Sequence, residues 1–239
     1  CNFCVDSERF QHHLVVSVGK NVYLALPASG MMTTGHCMLF PTSHSPSTTN
    51  IDEDTYRELQ SFKQCLMRMA ASLGRVCVFL EVVPDLHSKR HTYVECIPIP
   101  ENMEIDACLY YKKALLESGS EWSNHKKLID THTGQHTNKA EHTGPQSMRR
   151  GVKSCIPDNF PYFHVEVGDA AGYAQVIEKN DFPPHFGREI VGGLLDLSPE
   201  HWRHPPRLPR DRQVAQVKQL KDLWEPYNWT EYSTDGQAE

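Results

Sequence analysis

Residues 76–83, Val-Cys-Val-Phe-Leu-Glu-Val-Val, form a nearly continuous apolar and largely β-branched run. A run of that length and composition reads as a central strand buried on both faces of a sheet. Upstream, His13–Val18 and Asn21–Leu26 alternate around Gly19-Lys20 and predict a β-hairpin closed by Pro27. Gly35–Pro41 predicts a third strand. Asn50 stands as an N-cap with Glu53 three residues on. Leu59, Phe62, Leu66, Met69 and Leu73 then fall at helical spacing, up to Gly74 at the C-cap. Beyond a turn-rich stretch, His91–Ile99 predicts another strand, and residues 106–117 predict a helix. The second half predicts a hairpin, Tyr162–Val167 and Tyr173–Ile177, then a helix over 185–195. A last helix presents Val214, Val217, Leu220 and Trp224 on one face and stops before Pro226. Hairpins with few helices indicate the α+β class.

Charge and length narrow the function. The chain has 239 residues, 24 Lys+Arg against 30 Asp+Glu and a net charge of −6. That balance opposes coating of nucleic acid by bulk charge but leaves room for local basic patches. No apolar run approaches the roughly 18 residues of a transmembrane helix, so no membrane association is expected. No secretory signal pattern opens the chain. Its start at Cys1, not Met, reads as a piece of something longer. Of eight cysteines, Cys37, Cys65, Cys77, Cys96, Cys108 and Cys155 read as small buried hydrophobes of a reducing compartment, cytosol or nucleus. Residues 131–150 hold no aliphatic side chain beyond Ala140 and Met148, and read as a solvated insertion between two halves.

Cys1 and Cys4 differ from the other six, because C-x-x-C spacing lets both thiolates reach one metal ion. His44, just past the third strand, and His91, opening a later one, complete a possible tetrahedral zinc shell. Incidental cysteines and surface histidines among the 14 His are the competing account. Weaker candidates have plainer readings. His132, His136 and His142 read as solvated loop residues, and His164 with Glu166 as a surface strand face. Asp52-Glu53-Asp54 suits a helix N-terminus. Gly192-Gly193 suits a tight helix contact better than a phosphate nest. Residues 201–212 carry four Arg against one Asp, beside Trp202. They suit either contact with RNA or an acidic protein surface, or a linker with local pairing. Arg149, Arg150 and Lys153 share that ambiguity.

The C-x-x-C, the hairpin, the block Gly35-His36-Cys37-Met38-Leu39-Phe40-Pro41-Thr42-Ser43-His44, the helix and a strand beginning with His resemble the histidine-triad (HIT) superfamily of nucleotide hydrolases and transferases. That resemblance implies zinc at Cys1, Cys4, His44 and His91. More closely, the chain resembles the C-terminal region of the CwfJ family of splicing factors, most of all its type-two branch. The resemblance rests on Tyr93-Val94-Glu95-Cys96-Ile97-Pro98, Tyr110-Tyr111-Lys112-Lys113-Ala114, Lys126-Lys127-Leu128-Ile129-Asp130 and Phe186-Gly187-Arg188-Glu189-Ile190-Val191-Gly192-Gly193. It implies a HIT-like zinc-binding domain over 1–130 and a smaller α+β module over 151–230. It also implies a nuclear protein of late, intron-lariat spliceosomes, with spliceosomal proteins, snRNA or intron RNA, and the lariat debranching enzyme as partners.

HIT enzymes place three His at alternate strand positions, the middle one being the nucleophile. Alternation puts His91, Tyr93 and Glu95 at those positions. A phenol, protonated near pH 7, replaces the nucleophile, and a carboxylate sits where an anionic phosphate would lie. The expectation is a non-catalytic region of a splicing factor. The alternative is a HIT-type hydrolase or transferase with an altered triad.

Overall fold

A computed structural model describes residues 1–86, 90–118, 125–132, 151–178 and 182–230. Most of the polar insertion, with His136, His142, Arg149 and Arg150, lies outside the described residues. The class is α+β, as expected. Eight strands form one sheet: β1 (Val15–Val18), β2 (Val22–Ala25), β3 (Cys37–Pro41), β4 (Arg75–Val83), β5 (Val94–Pro100), β6 (Ile129–Asp130), β7 (Tyr162–Val167) and β8 (Ala171–Val176). Their spatial order is β1-β2-β3-β5-β4-β7-β8-β6, and neighbouring strands are antiparallel. The apolar run at 76–83 is indeed central. β4 pairs β5 of the first half and β7 of the second, so one sheet crosses both halves.

Five helices among the described residues cover the sheet: α1 (Glu53–Ser72), α2 (Glu104–Glu117), α3 (Gly151–Cys155), α4 (Phe186–Leu194) and α5 (Arg210–Trp224). None is long and apolar enough to cross a membrane. On one face, Cys77 and Phe79 of β4 and Val94 and Cys96 of β5 pack with Leu59, Phe62 and Leu66 of α1 and Leu220 and Trp224 of α5. On the other, Val78 and Leu80 of β4 and Ile97 and Ile99 of β5 pack with Tyr111 and Leu115 of α2 and Val191 of α4. The period-2 pleat of the strands sorts these two cores.

The start of α1 lies two residues later than expected. Asn50 ends a 3-10 turn, and its side chain is engaged by the hydroxyls of Ser47 and Thr49. Asp52 is the N-cap, accepting from the Thr55 amide and hydroxyl at 2.8 Å each. Those bonds hold its carboxyl below its ordinary range. Gly74 follows the helix at φ +65°, the left-handed position glycine favours. On α5 the buried row is Gln213, Val217, Leu220 and Trp224, while Val214 is exposed. Gln213 is turned inward because its amide donates to Ala28 O and its Oε1 meets His13 Nε2, 2.8 Å each.

Candidate metal centre and the cavity beside it

The turn after β3 carries His44, and the segment leading into β5 carries His91. His91 was expected to open a strand, but the ladder begins at Val94. The Thr92 amide donates instead to Ser45 O at 2.8 Å, drawing the segment toward the His44 turn. The His91 ring is buried, and Nε2–H donates to Pro41 O at 2.8 Å, which leaves Nδ1 as the lone-pair nitrogen. Burial, together with the neighbouring His44, favours the neutral ring over the backbone bond's opposing pull. The neutral ring is the metal-binding form.

Cys1, Cys4, His44 and His91 converge, their ligand atoms all within 4.8 Å of one another. Cys4 Sγ lies 3.3 Å from His44 Nδ1 and 3.5 Å from His91 Nδ1, and Cys1 Sγ lies 3.6 Å from His91 Nδ1. A tetrahedral ion with metal–sulfur bonds of about 2.3 Å and metal–nitrogen bonds of about 2.05 Å separates such ligands by about 3.6 Å. The four residues therefore fit one such ion, and they are the cluster of this kind among the described residues.

Beside this centre, Tyr93 and Glu95 share one face of the sheet, the face of Met38 and Phe40. The charge expected of Glu95 is cancelled. Arg188 of α4 grips the carboxylate through Nε to Oε2 at 2.9 Å and Nη2 to Oε1 at 2.7 Å. His36 accepts from the Met32 amide at Nδ1, so its Nε2–H donates to Glu95 Oε1 at 2.8 Å. Burial alone would raise this carboxyl, but Arg188 and His36 hold it down at about 2. Burial and the adjacent Glu95 push the Tyr93 phenol above its ordinary value.

A cavity of about 430 Å³ opens on this face. Five aromatic rings line it: Phe3, Phe10, Tyr23, Phe40 and Tyr93. Phe40 stacks on Tyr23 at 5.0 Å and on Phe3 at 4.8 Å between centroids. Arg188, Arg203 and Arg207 line it from the second half. The Arg-rich segment shows the local pairing expected of it, since Arg207 donates to Gln11 Oε1 at 2.8 Å. Sequence reasoning missed Arg188, His36, Phe3 and Phe10, whose only signal was cation and aromatic type.

Other expectations sort differently. His164 and Glu166 do not form a surface face: His164 is buried and is driven down to about 4 by desolvation. α1 covers that face, and its buried Lys63 pairs with Glu166. Gly192 is a close-contact glycine, because a Cβ there would lie 2.2 Å from Trp202 Cδ1. Cys37, Cys65, Cys77 and Cys96 are buried, whereas Cys108 and Cys155 are half-buried.

Comparison with known proteins places both halves. Residues 1–112 match the family described as protein similar to CwfJ C-terminal, and residues 121–230 match protein similar to CwfJ C-terminus 2. CWF19-like protein 2 of Homo sapiens is 37% identical over 231 residues, covering 96% of this chain and 24% of that protein. The CWF19-like protein 2 homolog of Caenorhabditis elegans is 34% identical, with 96% and 46% covered. Pre-mRNA-splicing factor cwf19 of Schizosaccharomyces pombe is 28% identical over 236 residues, with 96% and 35% covered. The chain thus spans about a quarter of the human relative's length.

Proposed function

The chain belongs to the CwfJ C-terminal family, and on that premise we propose that it is a non-catalytic, RNA-engaging scaffold region of a nuclear pre-mRNA splicing factor. Its place is the late, intron-lariat spliceosome, among spliceosomal proteins and snRNA or intron RNA, with the lariat debranching enzyme as a further partner. The fold is read as HIT-like, with the first half a zinc-binding domain and residues 151–230 a smaller module. Cys1, Cys4, His44 and His91 hold a structural zinc ion, whose binding free energy becomes folding free energy by tying the chain's start to two distant segments.

The observation that carries the RNA reading is the cavity, lined by five aromatic rings and by Arg203 and Arg207, with Arg188 engaged by Glu95. Aromatic faces stack unpaired bases, and guanidinium groups neutralise phosphates. The non-catalytic reading rests on Tyr93. Its raised phenol is a poorer nucleophile than an imidazole, and Glu95 spends its charge on Arg188.

The test is fluorescence anisotropy with a labelled single-stranded hexauridylate. Arg203→Ala with Arg207→Ala weakens binding at least tenfold. The wild type's affinity falls with salt at a log–log slope of about −1.4, as two phosphate contacts, at Arg203 and Arg207, require. Absence of binding at low salt would overturn the RNA reading. Turnover of a nucleoside phosphoramidate that disappears in Tyr93→Phe would restore the enzyme reading.

A further inference from the structure

Glu81 is the one acidic residue in the apolar β4, and it is 2% exposed. Burial pushes its carboxyl up, since the charged form loses its water. Three hydroxyls and one backbone amide hold it in place. Oε1 accepts from the Thr48 amide at 2.9 Å and from Thr92 Oγ1 at 2.7 Å. Oε2 accepts from Thr48 Oγ1 at 2.6 Å and from Tyr162 OH at 2.8 Å. Each oxygen takes two donors, so the ionised form is fully satisfied.

The sources of those donors carry the argument. Thr92 is the residue after His91, and Thr48 lies four residues after His44. The same two segments are joined directly by the bond from the Thr92 amide to Ser45 O. The two rings consequently sit 5.1 Å apart at 71°. An apolar side chain at position 81 would fill this core at lower cost than a buried carboxylate, but it would hold neither segment.

We propose that Glu81 is a positioning residue of the metal centre, its carboxylate clamping both histidine-bearing segments so that the two Nδ1 atoms meet the two thiolates. The inference rests on the metal reading above and adds to it the group that aims the ligands. Outer-shell partners of this kind are worth ten- to a hundredfold in metal affinity.

Two substitutions on the same carboxylate separate positioning from plain stability. Thr92→Val removes the hydroxyl that reaches the His91 segment, and Tyr162→Phe removes one that comes from β7. Zinc affinity is measured on the full chain by chelator competition, with the cobalt(II) absorption spectrum and the urea midpoint beside it. Thr92→Val is expected to weaken zinc at least tenfold and to shift the cobalt bands, while Thr92→Ser keeps wild-type values. Tyr162→Phe lowers the urea midpoint and leaves affinity and spectrum unchanged. If Thr92→Val and Tyr162→Phe lower stability alike and neither moves affinity or spectrum, Glu81 is only structural and the inference falls. A folded wild type that binds neither zinc nor cobalt would overturn the metal reading and this inference together.

Discussion

Glu81 and Glu95 are buried carboxylates on adjacent central strands, facing opposite sides of the sheet. Leu80 pairs with Glu95 in the register, so the pleat turns Glu81 to the other face. Glu95 is held by a cation and an imidazole, Glu81 by hydroxyls and an amide. Near the cavity, a guanidinium neutralises the acid. Near the Cys/His cluster, directional neutral donors fix two segments without adding positive charge beside His44 and His91. Each acid also takes one donor from beyond residue 150, Arg188 for Glu95 and Tyr162 for Glu81. The two halves are thus joined by both faces of the sheet as well as by the β4–β7 ladder.

Removing the cation should do most damage. Arg188→Met strands Glu95 as a buried charge and is expected to cost roughly 3–5 kcal/mol in urea unfolding, with most of it recovered in the double variant Arg188→Met, Glu95→Met. A loss under about 1 kcal/mol, the range of exposed ion pairs, would erase the contrast between the two acids. Next comes pH. The folded carboxyl of Glu95 lies at about 2 against an ordinary 4.5, so its stabilisation is present above that ordinary value and is lost as pH falls toward 2. Its share is roughly 3 kcal/mol, and this acid limb should vanish in Glu95→Gln. Glu81 has the opposite sign. Its folded carboxyl is raised, so its contribution is fullest below the ordinary value and is lost as pH rises through the raised one. Glu81→Gln should therefore flatten the curve from the other side. The smallest effect belongs to His36→Phe, which deletes one donor to the Glu95 carboxylate and should cost about 2 kcal/mol while leaving the Arg188 grip intact.

Periodicity made the strands around 76–83, the helix α1 and the β7–β8 hairpin legible, because each buries a long face. β6 has two residues and α3 has five, too few for any period to show. His164 and Glu166 show the limit of alternation, which says that two residues share a face but not which element covers it. The Cys/His set was legible from residue type and a family resemblance, since spacing alone cannot bring residue 1 to residue 91. The pairing of Glu95 with Arg188 spans 93 positions and left no local trace. Glu81 stood in plain sight, a lone acid inside an apolar strand, and such a residue asks for partners that only the fold supplies.

Phe3 sits between the two cysteines of the C-x-x-C, its carbonyl accepts from Tyr23 OH at 2.7 Å, and its ring forms one wall of the cavity. Whatever anchors Cys1 and Cys4 therefore also anchors that wall. If a base stacks on Phe3 while an ion holds the two cysteines, each must raise the other's equilibrium affinity by the same factor. A chelator titration run with and without bound RNA would read that factor from either end.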